Sequence, residues 1–111
     1  MDFESITNES KTVFCTLYKV YLNNRKDGLS ISKSSYIGDS DYIQEKYFPD
    51  INLEDITDIC WNLSAKGFLT CYPGDDLACG VSLTPDAIAF MQHKFSNDIK
   101  KLTSFIANLV F

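Results

Sequence analysis

The sequence predicts an α+β fold, and three observations carry the prediction. A capped amphipathic helix spans Asn52 to Gly67, a β-hairpin follows around Pro73-Gly74-Asp75-Asp76, and Thr84-Pro85 opens a further helix. In the first of these, Asn52 stands as N-cap with Asp55 three residues on, close to a capping box. Leu53, Ile56, Ile59, Cys60 and Leu63 follow at spacings of three or four and form one helical stripe. Gly67 occupies the place of a left-handed C-terminal residue, and Lys66 complements the helix dipole. β-prone residues flank the Pro-Gly-Asp-Asp turn, and Thr84 with Pro85 gives a good cap and first helical position. Helix, strand, turn, strand, helix is the second half of a winged helix-turn-helix. The predicted architecture is that domain, with a two- to three-stranded wing sheet and a long C-terminal helix.

In chain order, residues 1–10 are polar and acidic and read as a flexible arm, with Ser10 as a cap for the first helix. The domain proper is predicted over 11–95. Its first helix runs from Lys11 to Asn24, with Phe14, Leu17, Tyr18, Tyr21 and Leu22 on one face and Val13 and Val20 widening it. Arg25 and Lys26 suit its C-terminus and Gly28 ends it. Leu29 to Ser32 is β-compatible and stands where a winged helix has its small first strand. Ser32 then caps a short helix from Lys33 to Ile37, and Ser40 caps another from Asp41 to Tyr47, before Pro49 breaks the chain.

From Pro85 onward Ile88, Met91, Phe95, Ile99, Leu102, Phe105, Ile106 and Leu109 recur at threes and fours to the chain end. Ser96-Asn97-Asp98 offers a break, with Ser96 or Asn97 as a fresh cap. Within the C-terminal helix segment 96–111, the stretch from Ile99 to Phe111 is too apolar to sit bare in water. It either folds back on the first helix or serves as the dimerisation element of a homodimer.

A chain of 111 residues with 45% apolar content supports one domain with a core of its own. No apolar run approaches the roughly 20 residues of a membrane span, and acids occupy the N-terminal positions where a secretory leader has bases. The expectation is a cytoplasmic protein with no membrane partner and with reduced cysteines. Cys15, Cys60, Cys71 and Cys79 form no Cys-x-x-Cys pair, so no metal site is predicted. If the hairpin turns about Asp75, Cys71 and Cys79 face each other across the strands, in place for a disulfide; otherwise all four act as small apolar side chains.

Net charge is -5 and unevenly placed. From Lys11 to Gly38 five bases (Lys11, Lys19, Arg25, Lys26, Lys33) stand against one acid, Asp27. From Asp39 to Lys66 seven acids (Asp39, Asp41, Glu45, Asp50, Glu54, Asp55, Asp58) stand against Lys46 and Lys66.

The set Ser64-Ala-Lys-Gly-Phe-Leu69, the Pro73-Gly74 turn and Ser82-Leu-Thr-Pro-Asp-Ala-Ile-Ala-Phe-Met91 resembles small winged-helix proteins of Gram-positive bacteria and their phages. The YjcQ-like proteins look closest, and MarR-type regulators share the order of elements. The resemblance spans roughly Lys11 to Phe95 and lies in fold residues. It implies a winged-helix fold and a phage or mobile-element setting, and it carries no activity with it.

For the chemistry, the helix expected to read DNA presents Glu54, Asp55, Thr57, Asp58, Trp61 and Asn62 away from its apolar stripe. Its carboxylates, and Asp75 and Asp76 in the turn, would face phosphates, whereas affinity for nucleic acid comes from Lys and Arg replacing counterions. The leading expectation is therefore a regulatory module that binds a protein partner of basic character through Glu54, Asp55, Asp58, Trp61 and Asn62. Trp61 either anchors that partner or packs on the core. The alternative is a dimeric DNA-binding transcription regulator that meets DNA through Lys19, Arg25, Lys26 and Lys33, residues that otherwise form a solvated face. An enzyme is not expected. His93 stands alone on the solvent side of the last helix, the acids are not paired by spacing, and the glycines are isolated, so no catalytic residue and no cofactor are predicted.

Overall fold

The computed structural model describes residues 1–109. Among them it forms an α+β fold of six α-helices and one three-stranded antiparallel sheet. In chain order these are α1 (Asn8–Lys26), α2 (Ile31–Ser35), β1 (Tyr36–Gly38), α3 (Ser40–Tyr47), α4 (Leu53–Ala65), β2 (Leu69–Gly74), β3 (Leu77–Leu83), α5 (Pro85–Phe95) and α6 (Ile99–Ala107). The sheet order is β1-β3-β2, with the hairpin β2–β3 joined on its inner strand by β1. Helices α3 and α4 pack on the sheet and on each other, and α1 packs on α4, α2 and α6. Val13, Phe14, Leu17, Tyr18, Ile43, Ile56, Leu63, Phe68, Val81 and Met91 fill the core between them.

Helix α4 begins as its sequence predicts. The Asn52 side chain accepts from the Asp55 N–H at 2.8 Å, and its own amide donates to Asp55 Oδ2 at 3.1 Å. It ends in a Schellman turn: the Phe68 N–H donates to Leu63 O and the Gly67 N–H to Ser64 O, with Gly67 at φ 89°. The buried pair Leu63 and Phe68 seals that turn, and Phe68 meets Phe14 edge to face with centroids 4.9 Å apart. Thr84, whose hydroxyl donates to Gly67 O at 2.8 Å, ties the start of α5 to the same corner.

Several expectations are corrected. Residues 1–10 do not form an extended arm: Phe3–Ser5 makes a 3₁₀ turn, Phe3 and Ile6 are buried, and Thr7 rather than Ser10 caps α1. The apolar surface of Phe3 and Ile6 outweighs the polarity of their neighbours.

The first strand is Tyr36–Gly38, not Leu29 to Ser32. Ser30 accepts from the Lys33 N–H and starts α2 there, so the short helix comes earlier and the strand later than the alternation of Leu29 and Ile31 suggests. The helix after Asp39 is also capped differently, because the Ser40 hydroxyl is drawn inward and Asp39 occupies the N-cap position.

The last helix is not continuous. The break falls at Ser96 and Asn97, where the polar triplet offered one, but Asp98 rather than Ser96 or Asn97 caps α6, through the N–H groups of Lys100 and Lys101, and α6 takes the fold-back alternative against α1 with Leu102 fully buried. Cys71 and Cys79 are free and out of register. The two-residue turn at Asp75-Asp76 pairs Tyr72 with Cys79, and a bulge leaves Cys71 without a direct opposite.

Of the expected dimerisation element 96–111, α6 is therefore docked on α1 of its own chain, and Val110 and Phe111 lie outside the described residues. No helix among the described residues is long and apolar enough to cross a membrane.

Candidate functional site

An amphipathic helix on a sheet leaves one stripe to solvent, and on α4 that stripe is acidic. Glu54, Asp55, Asp58 and Asn62 are exposed, while Trp61 is half-buried against the core. The β2–β3 hairpin rises beside it and its tip completes a cleft. Glu54, Thr57, Asp58 and Trp61 from α4, and Pro73, Gly74, Asp75, Asp76 and Leu77 from the hairpin, enclose about 510 Å³. On the opposite flank of α4 a smaller cleft of about 270 Å³ is lined by Thr7, Glu9, Ser10, Asp55, Asp58, Ile59 and Asn62. Asp58 belongs to both. No base is among the described residues lining either cleft.

These carboxylates are not neutralised within the chain. Among the described residues the single ion pair is Lys11 with Glu4, at 3.6 Å on another face. Asp55 is partly occupied by its cap with Asn52. Glu54, Asp58, Asp75 and Asp76 are left facing solvent.

The hairpin tip is held in an unusual way. Asp75 and Asp76 have φ of 51° and 61° between the paired residues Gly74 and Leu77. Two left-handed residues in a two-residue loop define a type I′ turn, which Asn-Gly forms at lower cost. Both residues line the larger cleft together with Glu54 and Asp58.

Thr57 lines the larger cleft but does not present its hydroxyl to solvent as expected. Thr57 is buried, and its hydroxyl shares a 2.9 Å hydrogen bond with Ser40 Oγ, which also accepts from the Ala78 N–H at 3.1 Å. Beside it the Gly80 N–H donates to Asp39 Oδ1 at 2.9 Å. This buried network fixes the N-terminus of α3 to β3 and α4, and so sets the angle between α4 and the hairpin. Leu53, assigned to the apolar stripe, is 37% exposed at the start of the helix.

All five residues expected at a protein-binding face, Glu54, Asp55, Asp58, Trp61 and Asn62, line one or other cleft. Trp61 packs on the core with one part, as one of its two expected roles has it, and also lines the larger cleft. Asp75 and Asp76 join the face through the hairpin, and Glu9 joins it through α1. Only the pairing of distant segments brings these three in, so periodicity within α4 had no means of finding them.

None of the bases Lys19, Arg25, Lys26 and Lys33 lines either acidic cleft. Arg25 alone lines a groove of about 720 Å³ beside Ile31, Ser82 and Pro85, and its guanidinium donates to the Leu29 carbonyl at 3.0 Å. Lys19 is half-buried. His93 is exposed on α5, and no group of three or more His, Cys, Asp or Glu among the described residues is arranged to hold a metal ion. Cys15 and Cys60 are buried thiols with pKa pushed up to about 12 by desolvation, which makes them poor nucleophiles.

Comparison with protein-family models, with curated proteins and with solved structures gave no match.

Proposed function

We propose that the chain is a non-enzymatic winged-helix module, YjcQ-like in its order of elements, that binds a basic protein partner through the acidic face of α4 and the hairpin tip. The order of elements supports the fold assignment: α3 and α4 packed together, the β2–β3 hairpin directly after α4, and β1 closing the sheet on β3. On that reading α4 is the recognition helix and the hairpin is the wing.

The observation that carries the function is the composition of the two clefts. Glu9, Glu54, Asp55, Asp58, Asp75 and Asp76 meet there with no base among the described lining residues. A polyanion approaching this face meets repulsion, and there are no cations to release its counterions. An arginine or lysine meets the opposite. Trp61 offers a flat aromatic surface beside the carboxylates, where a cation gains about 0.5–2 kcal/mol by stacking, and carboxylates pair bidentately with guanidinium. A DNA-binding regulator working through Lys19, Arg25, Lys26 and Lys33 has less support, because Arg25 is tied to its own backbone and Lys19 is half-buried.

Trp61 is the one tryptophan in the chain, so its fluorescence reports on the cleft directly. Titration with an arginine-rich peptide at low salt is expected to give a saturable change that weakens as salt is added. The triple variant D58N/D75N/D76N is expected to lose about tenfold or more in affinity. The control triple D27N/D50N/D86N removes as much charge elsewhere and is expected to stay within about twofold of the parent. Trp61→Ala, followed by calorimetry, is expected to cost about 2 kcal/mol of binding with the fold intact. Salt-sensitive binding of mixed-sequence duplex DNA, with the peptide inert, would reverse the assignment.

A further inference from the structure

The apolar stripe of the last third of the chain does not stop where α5 stops. Ile88, Met91, Phe95, Ile99, Leu102, Ile106 and Leu109 keep spacings of three and four throughout, the pattern of one unbroken helix. The backbone nevertheless turns back at Ser96 and Asn97, whose φ angles are 54° and 60°. Two consecutive non-glycine residues in the left-handed region are disfavoured by contact between Cβ and the backbone.

Tertiary contacts hold the break. Leu102 is fully buried, and the Phe105 ring lies 6.0 Å from Phe3 and 5.2 Å from Phe95. The Tyr18 hydroxyl donates to Asn97 Oδ1 at 3.3 Å. Asp98 caps the new helix. Local preference at 96–97 and the docking of α6 therefore oppose each other across a hinge only three residues long, the setting in which elements exchange between copies.

We propose that α6 exchanges between two copies of this chain. Ser96 and Asn97 move into the right-handed region, α5 and α6 merge into one helix, and each α6 docks on α1 and Phe3 of the other copy. The seat is identical in both forms, so the apolar surface that α6 buries against residues before the hinge is buried again. Exchange relieves two left-handed residues. It gives up the Asp98 cap, the Tyr18–Asn97 hydrogen bond and the freedom of two separate molecules, and the last of these losses shrinks as concentration rises. The occupant of the seat is thus α6 itself, from the same chain in the monomer and from a second copy in the dimer.

Two variants of the full chain bias the hinge in opposite directions. S96A/N97A raises the cost of the left-handed turn and favours helix. S96G/N97G removes that cost. Sedimentation equilibrium up to millimolar protein is expected to show dimerisation about tenfold or more tighter for the alanine pair than for the parent, and weaker for the glycine pair. In an equilibrated mixture of isotope-labelled and unlabelled copies, filtered NOE spectra are expected to show the Phe3–Phe105 contact between molecules. An alanine pair that keeps its helical circular dichroism yet stays monomeric overturns the proposal. So does a dimer whose Phe3–Phe105 contact is wholly within one molecule. Where the alanine pair does not fold, the parent and the glycine pair decide. A parent dimer weakened by the glycines supports exchange, and a parent that stays monomeric, or dimerises equally with the glycines, overturns it.

Discussion

Ser40 shows how one hydroxyl can set the geometry of a distant site. It is fully buried, shares a hydrogen bond with Thr57 and accepts from the Ala78 N–H, so it joins α3, α4 and β3 at one point. Ser40→Ala strands the Ala78 amide and the Thr57 hydroxyl together. It is expected to cost about 1–3 kcal/mol in urea unfolding, whereas Thr57→Val, which leaves the Ser40–Ala78 bond in place, is expected to cost about half as much or less. Equal costs would mean that the amide is not the group at stake.

The thiols give a second expectation at this scale. Cys15 and Cys60 have folded pKa values of about 12 against 9.0 for a free thiol, because burial disfavours the thiolate. Their folded values lie above their unfolded ones. Their contribution to stability is therefore complete below pH 9 and lost as pH rises from 9 toward 12. Stability measured by denaturant should fall across that window and fall less in C15A/C60A. A disulfide reagent at neutral pH is expected to label Cys71 and Cys79 well before Cys15 and Cys60. Neither Thr57 nor Phe3 was legible as a core residue. A threonine between Ile56 and Asp58 and a phenylalanine between Asp2 and Glu4 take their positions from partners elsewhere in the chain, which local pattern does not contain.

Among the elements, α4 and the hairpin were legible because each carries its own boundary signals: Asn52 and Asp55 at one end, Gly67 at the other, and Pro73 to Asp76 for the hairpin, although Pro73 and Gly74 end β2 and only Asp75 and Asp76 form the loop. The segment from Leu29 to Gly38 was not. Its apolar residues alternate like a strand, yet the Ser30 cap nucleates α2 and passes the strand to Tyr36–Gly38, which pairs with β3 through Ser82 and Val81. The break between α5 and α6 was legible as a place and not as a certainty, since the polar triplet Ser96-Asn97-Asp98 competes with an unbroken apolar period. The hairpin turn carries the prediction that belongs to this scale. Asp76 is left-handed at the position where type I′ turns take glycine. Asp76→Gly is expected to raise stability by about 0.5–1 kcal/mol, as a raised midpoint of thermal or urea unfolding. The same change removes a carboxylate from the cleft and is expected to weaken binding of the arginine-rich peptide. A residue that costs stability and supports binding is the pattern of a functional position. A variant that gains stability and keeps full affinity would remove Asp76 from the site.

For the molecule as a whole the governing fact is the distribution of charge. Net charge is -5 and the sequence pI is about 4.6, but the sum matters less than the placement. The acids of the segment from Asp39 to Lys66 were legible as an excess. Their meeting with Glu9, Asp75 and Asp76 in two clefts astride α4 required the fold. The bases stay outside those clefts, with Arg25 held by the Leu29 carbonyl. The most direct measurement is a pair of amide chemical-shift titrations of the labelled full chain at low salt, one with an arginine-rich peptide and one with mixed-sequence duplex DNA. The expectation is that the peptide shifts amides of 54–62 and 74–77 while the duplex shifts none. Duplex-induced shifts centred on Lys19, Arg25, Lys26 and Lys33, with the peptide silent, would contradict it.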